Sequence, residues 1–445
     1  MTLTVLTDDE VKNILENLTL DELDEFRHAL AESLHEFSTD AHAAAIGLYQ
    51  QPHRITTLHP DSLATTLYMP SCGPAGMGCK VVSLTSSEAT NDPSVKPISP
   101  TGVVNLFSPS GELTGLVHAK TLTAFRTALA SSCLLHKRSH VKNITVFGSG
   151  MQAYWHVRLA LMMRGSTIKH VYLINRRFSD SAGDILKKFA VVPNEIKERE
   201  GWANAKFAIL TPTFHDYERL QKEYIRSADV IYCCTPSRED LFEASILTSH
   251  EGRKKGRLIV AVGSYTPEMR ELPEELLQLV TKGHERPHRH FHKHADEGGV
   301  IVVDTLDGVL KEAGEIISAK ISPNNMVELG ELVMLRRMAM DQSETESETE
   351  AVSSSSISSM SELEIQDRAP SMSAVFGSET PGQVVPLASS SERDKKKKED
   401  GLSLWLSNGT VVYKSVGLGL MDLVVGMHMV QVAKKKHVGA EISGF

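Results

Sequence analysis

Ile144-Thr145-Val146-Phe147-Gly148-Ser149-Gly150-Met151-Gln152-Ala153 reads as an apolar strand, a glycine turn and the opening of a helix. The helix continues through Tyr154-Trp155-His156-Val157-Arg158-Leu159-Ala160-Leu161-Met162-Met163. A glycine turn at that junction lets backbone N–H groups approach a phosphate at the helix N-terminus. Ala153 stands where the usual dinucleotide fingerprint has its third glycine, and it is small enough for close helix–strand packing. Gly148, Ser149, Gly150, Met151 and Gln152 are therefore candidate cofactor-binding residues. Glycine turns between strands and helices are common, so the surrounding sequence decides what this one does.

Downstream, strand and helix patterns alternate. Candidate strands are 144–147, 171–174, 207–210, 230–233, 258–262 and 300–303. Short apolar strands separated by helices indicate a parallel sheet covered on both faces. A dinucleotide-binding domain is expected over residues 140–320. The end of its second strand, Leu173-Ile174-Asn175-Arg176-Arg177, carries no acid. A carboxylate there would bond a ribose 2′-hydroxyl, whereas guanidinium groups can clamp a 2′-phosphate. Asn175, Arg176 and Arg177 thus point to NADP(H) in preference to NAD(H).

Upstream, Val11, Ile14, Leu15 and Leu18 form one helical stripe with Asp8 as its expected N-cap, and Leu23, Phe26, Leu30, Leu34 and Phe37 form a second. Strand patterns follow at 66–70 and 78–84. Ser108-Pro109-Ser110-Gly111 is turn chemistry between two further strands, 103–107 and 113–117, and predicts a hairpin. Residues 122–135 read as a long helix carrying Arg126. The C-terminal stretch from Gly409 returns to the first domain or caps the second, and its apolar run from Val416 to Val432 contains Asp422 and His428. That run is too short to span a bilayer comfortably and reads as a buried helix.

The bulk composition sets limits. With 445 residues and a net charge of −9, the chain is expected to be a large α/β protein and no general binder of nucleic acid. Five cysteines, an odd number with no CxxC pair, suggest a reduced intracellular protein with neither a disulfide framework nor a zinc site. The N-terminus lacks a charged-then-apolar signal, and a cytoplasmic location is expected. Two polar segments stand apart. Residues 284–294 carry five histidines and read as a solvated loop. Residues 340–400 contain Ser343-Glu344-Thr345-Glu346-Ser347-Glu348-Thr349-Glu350 and a lysine run, cannot form a packed core, and suggest a phosphorylated disordered insertion.

The ordered set of motifs resembles the ornithine cyclodeaminase/mu-crystallin family. It comprises Pro70, Lys80, Thr123-Ala124-Phe125-Arg126-Thr127-Ala128, the glycine turn, Ala228-Asp229-Val230-Ile231, Ala261-Val262-Gly263-Ser264-Tyr265-Thr266-Pro267, Glu328-Leu329-Gly330-Glu331 and Lys414-Ser415-Val416-Gly417. The resemblance implies a Rossmann-type NAD(P)-binding domain plus an α+β substrate and dimerisation domain built from both chain ends. The expected division is 1–139 and 401–445 in the substrate domain, 140–320 in the Rossmann domain and 321–339 as a return helix. It further implies a homodimer and hydride chemistry at a C–N bond next to a carboxylate. Arg54, Lys80 and Arg126 resemble the family's substrate-site cations, with Lys80 and Arg126 as catalytic candidates. Guanidinium forks grip a carboxylate, and a lysine near a C=N nitrogen can protonate it. Thr235, Ser237, Gly263 and Ser264 are the remaining cofactor positions.

One departure matters. Ornithine cyclodeaminases resemble one another in an aspartate shortly after a strand, and Ser237 stands in its place here. Serine cannot act as a general base at neutral pH without an activating partner. An NADPH-dependent reductase of cyclic ketimine carboxylates is therefore the leading expectation. A cyclodeaminase with bound NAD, using Asp240, is the alternative, and a non-catalytic binding protein is the second alternative.

Overall fold

The computed structural model describes residues 2–39, 47–85, 100–282, 299–333 and 401–445. The histidine-rich segment and the 340–400 segment, with the phosphorylation expected there, lie outside the described residues. Among the described residues, fifteen strands make two sheets. They are β1 Thr2–Leu6, β2 Ile55–Leu58, β3 Ala64–Gly73, β4 Gly76–Thr85, β5 Thr101–Phe107, β6 Leu113–His118, β7 Asn143–Phe147, β8 His170–Ile174, β9 Lys206–Leu210, β10 Val230–Cys233, β11 Leu258–Ala261, β12 Ile301–Val303, β13 Met326–Glu328, β14 Val411–Lys414 and β15 Ala440–Ser443.

The first sheet runs β15-β1-β6-β5-β4-β3-β2 and is antiparallel except for the parallel β1–β6 pair. The expected hairpin is the β5–β6 pair, with Gly111 at φ +87° in its turn. One face lies under the helix Gly419–Lys436. Glycines permit that approach: a Cβ on Gly115 would lie 2.7 Å from Val430 Cγ2, and one on Gly78 would lie 3.1 Å from Leu423 Cδ1. The helix shows little amphipathicity because helices cover its other side, so Leu420, Met421, Leu423 and Val425 are all buried. On the opposite face of the sheet, Tyr68, Val81 and Val103 line up in register, as do Pro70, Cys79 and Asn105, and all are only half-buried.

The second sheet is wholly parallel, in the order β13-β12-β14-β11-β10-β7-β8-β9. Every residue of β10, β11 and β14 is buried, as expected for strands covered on both faces. Strand order reverses between β7 and β10, and ligands of such sheets bind at the C-terminal ends of the strands at this point.

Two sequence expectations change. Thr7, not Asp8, caps the first helix, Asp8–Glu16. It forms a capping box in which Glu10 receives the Thr7 amide at 2.8 Å. This leaves Asp8 free to accept the Thr121 amide at 2.9 Å. Residues 401–445 do not belong to one sheet: β14 inserts between β11 and β12, and only the following helix and β15 serve the first sheet. The turn Ser415-Val416-Gly417 therefore joins the two sheets. No described helix is long and apolar enough to cross a membrane.

Candidate functional site

The glycine turn follows β7 at the reversal point. Gly148 has φ +107°, and a Cβ there would lie 3.0 Å from both Cys234 O and Thr235 Oγ1, so both conformation and space require glycine. Gly150 is the N-cap of the helix Met151–Arg164, has no side-chain cap, and faces open space. The first amides of that helix therefore lack intrahelical partners and suit a phosphate. Asn175 at the end of β8 donates to Ser149 Oγ at 3.2 Å and to Arg177 O at 3.0 Å. Arg176 and Arg177 are exposed beside it. These residues fit a nicotinamide dinucleotide. A smaller hollow of about 450 Å³ separates the turn from the helix Asp180–Ala190, with Ser149, Ser181, Lys187 and Lys188 on its walls.

A cleft of about 1210 Å³ runs from Phe147, Asn175 and Thr235 at the strand ends to Arg54 and Glu312. Ser237 lies in its wall, where its hydroxyl donates to Glu239 O at 2.7 Å. Asp240 also lines it and pairs with Arg270 at 3.3 Å; burial raises the pKa of its carboxyl. Arg54 donates through Nη2 to Glu312 Oε2 at 2.5 Å and to Val416 O at 3.1 Å.

Lys80 from β4 and Arg126 from the helix Ala119–Leu135 are brought together by a residue that sequence reasoning missed. Asp422 lies 2.7 Å from Lys80 Nζ through Oδ2 and 3.0 Å from Arg126 Nε through Oδ1. All three are sealed, at 4%, 3% and 1% exposure, and neither cation is part of the cleft wall. Burial pulls the Lys80 ammonium down to about 8, against the pull of Asp422 in the other direction; Arg126 lowers it further. Gly417 stands between the two groups of cations: its carbonyl faces Arg54 at 3.5 Å, and a Cβ on it would meet Arg126 Nη2 at 2.9 Å.

A second buried network fixes that turn. Asp304, at the end of β12, accepts from Ser415 Oγ at 2.8 Å, Val416 N at 3.0 Å and Gly417 N at 2.6 Å. Lys414 pairs with Glu315 at 3.0 Å and donates to Ser264 O at 2.6 Å and to Ser264 Oγ. Glu271 accepts the amides of Thr235, Gly263 and Ser264 at 2.9, 2.7 and 3.2 Å. Burial raises its carboxyl to about 8 despite Lys414 nearby. The structure therefore places Ser264 and Gly263 in this buried network. The Ser264 hydroxyl is spent on Glu315 and Lys414, and a Cβ on Gly263 would lie 2.5 Å from Glu271 Oε1. Both are held in this network at the C-terminal end of β11.

One signal in the sequence could have found Asp422. A lone carboxylate inside an apolar run must be paired once buried, and an unpaired Arg126 sat in an equally apolar helix. Glu312 gave no such signal, because its helix is half exposed.

The sequence profile of the ornithine cyclodeaminase/mu-crystallin family matches residues 18–327. An uncharacterized protein of Saccharomyces cerevisiae is 28% identical over 76% of this chain and 89% of its own length. Ketimine reductase mu-crystallin of Mus musculus is 26% identical over 52% of this chain and 58% of its own. Among solved structures, Thermococcus litoralis Δ1-pyrroline-2-carboxylate reductase, in complex with NADH and L-proline, superposes with a TM-score of 0.61 at 18% identity, covering 99% of this chain and 100% of that one.

Proposed function

Because this chain belongs to the ornithine cyclodeaminase/mu-crystallin family, we propose that it is an NADPH-dependent reductase of cyclic ketimine carboxylates. One observation carries the reading: Lys80 and Arg126 converge on Asp422 behind a cleft that presents Arg54, while Ser237 stands where a deaminating base would be. The mouse and archaeal relatives, named for ketimine and pyrroline-2-carboxylate reduction, support the same class.

Gly148, Ser149 and Gly150 would hold the phosphates of a nicotinamide dinucleotide, which when bound would supply a hydride for the C=N carbon, and Asn175, Arg176 and Arg177 would favour a 2′-phosphate. Arg54 grips the substrate carboxylate, and Arg126 adds a second positive charge. Lys80, held by Asp422 behind the cleft wall, would act on the imine from there, its positive charge favouring the protonated, electrophilic C=N bond. Fixing two reactants in this way can lower the barrier by several kcal/mol, up to about 7–11 in the best cases. The substrate is a small imino acid. The half-buried apolar face carrying Tyr68, Cys79, Val81 and Val103 is the surface through which two copies pair.

The test is NADPH oxidation across a panel of cyclic and linear imino acids, with Lys80→Ala as control. No turnover of any panel member, together with tight NADPH binding, would leave a binding protein instead. One observation favours a second reading: Asp240 lines the cleft with a raised pKa, which suits a general base. Ammonia release from ornithine without added cofactor would establish that cyclodeaminase reading and sink the first.

A further inference from the structure

Glu312 ends the helix Leu306–Glu312 and lines the cleft. Its carboxylate takes the Nη2 edge of Arg54 at 2.5 Å, and the two side chains are only 16% and 22% exposed. A carboxylate of the protein thus already occupies Arg54, one of three arginines that line the cleft. We infer that Glu312 is a specificity-determining residue that restricts the site to imino acids bearing a single carboxylate.

The inference rests on the proposed role of Arg54 as a substrate cation. Its basis is the geometry around Arg54. Asp422 holds Lys80 and Arg126 behind the wall, Glu312 takes the Nη2 edge of Arg54, and Asp304 brings a further negative charge to bear on Glu312. The rest of the Arg54 guanidinium is left for one substrate carboxylate. A second carboxylate would enter beside Glu312 with no counter-charge, in a partly desolvated cleft where like charges repel strongly. The other charged groups on the wall do not relieve this. Arg238 shares its stretch of wall with Glu239, Asp240 is committed to Arg270, and Arg176 lies at the end of β8 beside Asn175. Without Glu312, Arg54 would have its Nη2 edge free for the second carboxylate.

The experiment uses the full chain with NADPH and two linear imines formed in situ with ammonium, one from pyruvate and one from oxaloacetate. The wild type should prefer the monocarboxylate by at least about tenfold in kcat/KM, the ratio expected from one uncompensated charge. Glu312→Gln should narrow that ratio by about tenfold, mainly through KM for the dicarboxylate. Glu312→Asp, which keeps the charge, should retain the wild-type preference. An unchanged ratio in Glu312→Gln, or equal narrowing in both variants, overturns the inference. If neither linear imine is reduced, the proposed reaction still stands or falls on its cyclic substrates. The inference is then read from thermal shifts of the NADPH-bound protein: L-alanine should stabilise the wild type more than L-aspartate, and Glu312→Gln should close that gap. Equal shifts in the wild type, or a gap that the substitution leaves unaltered, would refute it.

Discussion

The ammonium of Lys80 lies 2.7 Å from the carboxylate of Asp422, in a pocket that water does not reach. Burial draws the lysine down to about 8, and Asp422 is the largest influence opposing it. A reaction that needs protonated Lys80 should lose kcat/KM as pH rises through about 8. Asp422→Asn removes the stabilising anion, so that limb should move to lower pH. Lys80→Ala should cost on the order of 10²-fold in kcat and abolish the limb. A pH–rate profile of the three proteins checks both statements.

Gly417 is the hinge between the cleft and the sealed cations. Its φ is +92°, and an added methyl would meet the Arg126 guanidinium at 2.9 Å. Gly417→Ala should cost about 1–3 kcal/mol of stability for the strained backbone. It should also raise KM by displacing Arg126. Denaturant unfolding and initial-rate kinetics measure the two effects separately.

The proposed preference for NADPH rests on Arg176 and Arg177. Replacing both with alanine should raise KM for NADPH by about tenfold or more, the scale of losing a charge-assisted phosphate contact, with a much smaller effect on NADH. Equal efficiency of the wild type with the two cofactors would exclude the preference.

Lys414 neutralises a buried acidic group. Lys414→Met strands Glu315 without its counter-ion and should destabilise the protein by about 3–5 kcal/mol. Adding Glu315→Met should recover much of that loss, which chemical denaturation of the single and double variants would show. Glu271 adds a pH signature. Its folded-state pKa of about 8 lies above the ordinary 4.5, so the native state holds the extra proton between those values. Its contribution to stability is complete below about pH 4.5 and is lost as pH rises through about 8. Glu271→Gln should flatten that part of the stability–pH curve.

Val81 faces outward from the half-buried side of the first sheet, in register with Tyr68 and Val103. Val81→Glu should dissociate the proposed homodimer without unfolding the chain, as read by sedimentation velocity alongside circular dichroism.

Much of this was legible in local sequence. The period-2 and period-3.6 patterns marked the hairpin at Gly111, the strands 144–147 and 230–233, and the helix carrying Arg126, because burial on one face leaves a repeat that neighbouring residues share. The glycine turn was legible because Gly148 must adopt a positive φ. The capping box at Thr7 was also within reach, since Thr7 and Glu10 stand three apart, but Asp8 offered an equally good local cap. The role of Ser264 was not legible: its neighbours in the motif say nothing of Lys414, which joins it only through the insertion of β14 between β11 and β12.

The sequence by itself determined the two kinds of sheet, the phosphate turn and the basic character of the β8 end, since each rests on residues a few positions apart. Tertiary structure alone decided that Asp422 unites Lys80 with Arg126 and that Glu312 occupies Arg54. Those pairings join distant parts of the chain. They are set by the cost of burying an unpaired charge, which acts only once the sheets and helices have packed. The glycine turn at Gly148 marks the strand ends that suit a phosphate; the carboxylates behind and beside the cleft fix the cations that the proposed function assigns to the substrate.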